Sequence, residues 1–182
     1  MTDALGSTLL QLARSAIAHR FAGPAPVIPA QPELAEPGAT FVTLTQNHQL
    51  RGCIGSLAAY RPLGEDVCAN ACAAAFQDPR FRPLVAEELP RTHIEVSLLS
   101  APQALAFTDE ADALARLRPH VDGVIFTASG RRSTFLPQVW EQLPTPEEFM
   151  AHLKQKAGLS PRYWGADVRL ERYTVHKWEE EA

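Results

Sequence analysis

The stretch from Phe41 to Leu57, FVTLTQNHQLRGCIGSL, constrains the fold of this chain more than any other. It reads as two β-runs on either side of a polar corner, Gln46, Asn47 and His48, and the second run ends in Arg51-Gly52-Cys53-Ile54-Gly55. Side chains of an extended segment alternate between faces. Leu50, Gly52 and Ile54 are therefore expected on one face, with Arg51, Cys53 and Gly55 on the other. Two glycines beside a cysteine weaken a strand and leave it without side chains to pack, so they mark a bulge, a sharp bend or a close approach to the backbone.

The segments around the hairpin carry their own periodicities. Asp3 is placed to cap a helix running to about Arg20, with Leu5, Leu9, Leu12, Ala16 and Ile17 forming one apolar stripe suited to covering a sheet. From Phe21 to Gly38, prolines 24, 26, 29, 32 and 37 fix φ and remove backbone donors, which predicts an extended surface connection. Pro62 stands where a first helical residue belongs, and Glu65 and Asp66 complement a helix N-terminus, so Pro62 to about Phe76 reads as a helix. Leu63, Val67, Ala71 and Ala74 are its expected core residues. Arg91 to Ser100 alternates as a strand, with Ile94, Val96 and Leu98 on one face and His93, Glu95 and Ser97 on the other.

Further on, a short helix is expected over Asp109 to Leu117, and a hairpin joins Gly123–Thr127 to Arg132–Leu136 through Ala128-Ser129-Gly130-Arg131. Pro146 to Ala157 reads as a helix ended by Gly158. Val168 to Trp178 reads as a last strand whose apolar phase changes near Glu171 and Arg172, the mark of a bulge. Tight turns between strands and irregularly placed helices predict an α+β fold: a mainly antiparallel (mixed) sheet flanked by helices, with room for a small second lobe.

At 182 residues with 46% hydrophobic composition, one domain with an ordinary core is expected. A net charge of −4 without a basic cluster argues against a nucleic-acid surface built on phosphate contacts. The first twenty residues lack a basic segment followed by an unbroken apolar run, and no apolar run approaches membrane-spanning length, so a soluble cytoplasmic protein is expected. Three cysteines fit reduced thiols better than a disulfide framework.

LRGCIGSL resembles the signature of the AMMECR-type domain, the family called AmmeMemoRadiSam system protein A in bacteria and archaea. The resemblance continues through Asp78-Pro79-Arg80-Phe81, Ser97-Leu98-Leu99, Thr134-Phe135-Leu136-Pro137-Gln138-Val139 and Lys156-Ala157-Gly158-Leu159. It implies a single domain over residues 1–182, inside which lies the surface connection that the prolines of residues 21–38 predict. It names no reaction. The family name implies Memo-like and radical-SAM proteins as partners.

Cys53 is the sharpest chemical candidate, because an arginine on its own face would favour the thiolate; the plainer role is a small hydrophobe in a kinked strand. Catalysis would need a base and an orienting group, which His93 and Glu95 could supply, with His48 as another possible base. Asp78, Arg80 and Phe81 lie in a loop that either grips a carboxylate or phosphate or braces itself through an internal ion pair, and the Asp-Pro turn favours the brace. Cys68 and Cys72 share a helical face, but Ala75 stands where a radical-SAM cluster motif needs its third cysteine, so core packing is expected. Arg131 and Lys156 fit a turn and a helix C-terminus at least as well as an anion site.

No phosphate loop, dinucleotide fingerprint, G-x-S-x-G elbow or H-E-x-x-H helix occurs, so neither a cofactor nor a metal ligand is assigned. The sequence thus points to a cleft lined by Arg51, Gly52, Cys53, Gly55, Asp78, Arg80 and Phe81 that takes a small ligand or a partner segment. Two alternatives are a cysteine-dependent enzyme with Cys53 as nucleophile, and a non-catalytic adaptor for the Memo-like and radical-SAM proteins.

Overall fold

Asn47 and His48 both have positive φ, 49° and 61°, the backbone of a two-residue hairpin turn whose twist matches the strands it joins. They connect strand β1 (Pro37–Gln46) to β2 (Gln49–Gly55) in a computed structural model that describes residues 3–181, without the side chain of Asp3. The capping role read for that side chain lies outside the described residues.

Around the hairpin the chain forms two units, one running to Leu99 and resuming at His176, the other spanning Ser100–Val175. In the first, helix α1 (Asp3–His19) is followed by a single helical turn, α2 (Pro32–Ala35), which holds Leu34 in the core. The proline-rich stretch was expected to hold no element; Pro32 starts this turn, where its missing N–H costs nothing. Strand β3 (Arg61–Pro62) then leads into α3 (Leu63–Phe76), and a 3₁₀ turn (Ala86–Arg91) leads into β4 (His93–Leu99). β1 lies between β2 and β4 and is antiparallel to both, β3 pairs with the start of β1, and the last strand, β9 (Val175–Glu179), lies on the far side of β4. Leu5, Leu9, Leu12 and Ile17 of α1 meet Leu63, Val67, Ala71 and Ala74 of α3, with Val42, Leu44, Ile94 and Val96 of the sheet. Both helices therefore cover one face of this sheet.

The second unit holds the sheet β5-β8-β6-β7, built from β5 (Gln103–Ala104), β6 (Gly123–Ala128), β7 (Arg131–Phe135) and β8 (Arg169–Tyr173). Helices α4 (Glu110–Arg116) and α5 (Pro146–Lys156) belong to it, and Trp140, Phe149, Leu153, Phe126 and Leu170 form its core. Asp109 caps α4 by accepting the Asp112 N–H at 2.8 Å. The tail is not one bulged strand: the phase change seen at Glu171 and Arg172 belongs to a chain that leaves one sheet after Tyr173 and enters the other at Val175. Thr174 at this crossing accepts the Ser100 N–H and donates its own N–H to Ser100 Oγ, both at 2.9 Å. The fold is α+β with antiparallel strand pairs, as expected.

Candidate functional site

The register of β1 and β2 decides where the candidate residues point. Leu44 lies opposite Gly52, while Thr45, the next residue, lies opposite Leu50, so Arg51 is the extra residue of a β-bulge. Neighbouring residues of β1 face opposite ways, which sends Leu50 to the outer face and Gly52 to the helix-covered face. The expected alternation through Arg51 is thereby broken. Arg51 donates through Nε and Nη2 to the two carboxylate oxygens of Glu88, both at 3.0 Å, and Glu88 also accepts from Gln46, a residue in phase with Leu44. Cys53 lies opposite Thr43 on the outer face. Arginine and cysteine do not share a face, which corrects the expectation that the guanidinium sits beside the thiol.

The two glycines have separate reasons. A Cβ on Gly52 would lie 2.2 Å from the Ala74 carbonyl oxygen of α3, so only a bare backbone lets helix and strand approach this closely. A Cβ on Gly55 would enter the ring of its cross-strand partner Phe41, 2.2 Å from Cγ, so that ring lies over the glycine.

The Asp78-Pro79-Arg80-Phe81 loop closes the free edge of β2. Asp78, nearly fully buried, accepts the Cys53 N–H at 2.9 Å and pairs with Arg80 Nη2 at 2.7 Å, and Nη2 also donates to the Cys53 carbonyl at 3.3 Å. One ion pair thus occupies the outward N–H and C=O that a further strand would otherwise take. Hydrogen bonding from Arg80 holds the Asp78 carboxyl far below its ordinary pKa, against the opposing effect of burial. Phe81 lies near both guanidinium groups, 6.0 Å from Arg51 and 5.6 Å from Arg80. Arg51, Asp78 and Arg80 therefore spend their charges on protein groups, although Arg51 Nη1 is a buried donor without an acceptor among the described residues.

Ser56, directly after the glycine-rich run, enters a buried network that the sequence reading missed. Asp66, fully buried in α3, accepts from Thr40 N at 2.8 Å, Thr40 Oγ1 at 2.7 Å, Ser56 Oγ at 2.7 Å, Arg61 Nε at 2.7 Å and Asn70 Nδ2 at 2.9 Å. Every lone-pair direction of the carboxylate is thus occupied, which is what a buried charge requires. The available signal was Asp66 and Asn70, polar residues one turn apart on the face that also carries Val67, Ala71 and Ala74.

On the outer face, Cys53, Thr43 and Glu95 form a row across three adjacent strands, because Thr43 is the register partner of both others. The Cys53 sulfur lies 3.3 Å from Thr43 Oγ1. Cys53 and Glu95 are two strand spacings apart, about 10 Å. Glu95 also meets Lys177 Nζ of β9 at 3.3 Å. His93 is in register with Thr45, one row further along, and is exposed. Among the described residues no imidazole lies within hydrogen-bond distance of the Cys53 sulfur. Thr43, Thr45, His93 and Glu95 instead line a concavity of about 700 Å³, joined by His48 and Arg91 and, from the tail, Glu179 to Glu181.

The remaining candidates lie apart. Cys68 and Cys72 direct their thiols to the Leu12 and Ala16 carbonyls of α1, and burial pushes Cys68 up to about 11. Lys156 Nζ donates to the Thr134 carbonyl at 2.9 Å, and Arg131 Nη1 to the Ala157 carbonyl at the end of α5 at 3.4 Å. Among the described residues no three His, Cys, Asp or Glu side chains converge to hold a metal ion, and no helix is long and apolar enough to cross a membrane.

The AMMECR1 family model matches residues 10–178. Protein MJ0810 of Methanocaldococcus jannaschii is 35% identical over 184 residues, 96% of this chain and 90% of that one. A protein of Methanothermobacter thermautotrophicus is 34% identical over 185 residues, 97% of this chain and 94% of its own. The crystal structure of the uncharacterized protein PH0010 from Pyrococcus horikoshii matches with a TM-score of 0.83 and 32% identity, covering 100% of this chain and 94% of that chain. None of these names states a reaction.

Proposed function

Because the chain belongs to the AMMECR1 family, whose signature stretch here forms β2, we propose that the protein is a binding module whose recognition surface is the outer face of the first sheet. The LRGCIGS residues build that surface more than they contact the ligand. Arg51 fixes the bulge through Glu88, Gly52 lets α3 come close, Cys53 is held at both peptide groups by Asp78 and Arg80, and Ser56 enters the Asp66 network. What the outer face presents to another molecule is the row Cys53, Thr43, Glu95, in which Thr43 meets the Cys53 sulfur and Glu95 meets Lys177, with Thr45 and His93 beside it.

The observation that carries this reading is the concavity of about 700 Å³ over Thr43, Thr45, His93 and Glu95, within the size range of small-molecule sites. Its walls mix hydroxyl, imidazole, carboxylate and guanidinium groups, which suits a polar small molecule or the polar side chains of an extended partner segment. A cysteine nucleophile is less well supported, since activation requires a base within reach of the sulfur and Thr43 occupies that position. Uniformly labelled protein screened by NMR against a library of polar, metabolite-like fragments tests the proposal. Hits should shift the amides of Thr43, Thr45, His93 and Glu95 in wild type and lose that effect in a Thr43→Val/Glu95→Gln variant. Hits that map elsewhere, or persist in the double variant, would remove the site from consideration.

A further inference from the structure

The stretch between α1 and α2 carries an interaction signal that the binding face does not use. Residues Pro24 to Pro29 read Pro-Ala-Pro-Val-Ile-Pro and form no helix or strand. Each proline locks φ near −65°, and each residue before a proline is pushed toward the extended or polyproline region, so covalent geometry alone constrains Ala25 and Ile28 as well as the three prolines. There are no cis peptide bonds to interrupt the run. It is anchored on one side by the Gly23 N–H donating to the Ala18 carbonyl at 3.0 Å, and it ends at a tight turn in which Gln31 N–H donates to the Pro29 carbonyl at 2.8 Å. The segment is therefore a taut strap rather than a loose linker.

A connector of this length has no need of exposed aliphatic side chains, yet Val27 is 82% exposed and Ile28 40% exposed between Pro26 and Pro29. Ile28 and Pro29 also begin an apolar groove of about 480 Å³ that continues over Pro32, Leu34 and Pro62. From Phe21 to Gln31 no residue is ionisable. An extended, preorganised Pro-x-x-Pro with apolar residues between its prolines is the form read by modules whose grooves are lined with aromatic side chains. Such grooves stack on the prolines and hydrogen-bond the strap's free carbonyls, and the rigidity of the strap lowers the ordering cost of binding.

We propose that Pro24–Pro29 is a docking strap for a partner domain bearing an aromatic-lined, polyproline-reading groove. Recognition rests on shape and stacking, with no charge in the strap to steer it. The test is a titration of the labelled full-length chain with a panel of purified SH3 and WW domains, following the amides of Val27, Ile28 and Ala30. At least one domain should shift these amides saturably. A Pro26→Ala/Pro29→Ala variant should lose about tenfold or more in affinity, while its thermal midpoint drops only by the few degrees expected from a freer unfolded chain. Raising salt from about 50 to about 500 mM should change the affinity by less than about twofold. Failure of every domain in the panel, equal binding by the double variant, or a steep salt dependence would each overturn the proposal. A Val27→Ser variant, which leaves both prolines in place, separates loss of contact from loss of strap geometry: weaker binding supports the proposal, and unchanged binding counts against it.

Discussion

Replacing Asp66 by alanine should be among the most damaging single changes in the first unit. The substitution removes the acceptor of five hydrogen bonds, from Thr40 N, Thr40 Oγ1, Ser56 Oγ, Arg61 Nε and Asn70 Nδ2. Not all five become orphans. Asn70 Nδ2 keeps the Thr40 carbonyl at 3.0 Å, and the Arg61 side chain, 25% exposed, turns toward water. The Thr40 N–H stays buried without its partner, a desolvation cost of about 1–3 kcal/mol, and the bonds lost by the Thr40 and Ser56 hydroxyls add about 1 kcal/mol each. A loss of about 3–5 kcal/mol follows, a large share of the ~5–15 kcal/mol typical of a folded domain. Ser56→Ala, which leaves the carboxylate with its other donors, should cost only about 1 kcal/mol. Urea unfolding measures both values, and hydrogen exchange at the Thr40 amide localises the effect, since that N–H is bonded to the carboxylate itself. Equal costs for the two variants, or an Asp66→Ala loss below about 1 kcal/mol, would refute the view of Asp66 as the hub of the network.

Further outcomes test the neighbouring contacts. Gly52→Ala should destabilise by about 1–3 kcal/mol in urea unfolding, because the new methyl group meets the Ala74 carbonyl, which is backbone and cannot turn aside; a neutral result would mean that α3 and β2 are not in close contact. Hydrogen bonding from Arg51 holds Glu88 down to about 2, so its contribution is complete above the unfolded value near 4.5 and is lost as pH falls through the folded one. The stability gap between wild type and Glu88→Gln should therefore shrink between pH ~4.5 and ~2; a gap independent of pH would contradict the pairing. Burial raises the thiols of Cys68 and Cys72, so iodoacetamide at neutral pH should label Cys53 first by mass spectrometry. Labelling of Cys68 ahead of Cys53 would be the contrary result.

The elements whose geometry is local were legible in the sequence. The Asn47-His48 corner, the apolar stripe of α1, the alternation of β4 and the Gly158 stop after α5 each follow from residues within one or two turns of each other. What was hidden depends on pairings between distant segments. Nothing near Arg51 says that it is the extra residue of a bulge, because the bulge exists only against Leu44 and Thr45, and its partner Glu88 is 37 residues away. Thr40, Ser56, Arg61, Asp66 and Asn70 converge only once β1 and α3 have packed. The change of phase at Glu171 and Arg172 was visible, but its cause, a move from one sheet to the other, is a property of the topology.

The division of labour between the outer face and the motif that supports it is tested most directly by calorimetric titration of one fragment hit into three proteins. Wild type and Glu88→Gln, the second altered only behind the sheet, should bind alike, while Thr43→Val/Glu95→Gln should lose about tenfold or more in affinity without losing stability. The reverse pattern, with binding lost in Glu88→Gln and kept in the double variant, would place recognition at Arg51 and its loop and contradict the assignment of the outer face.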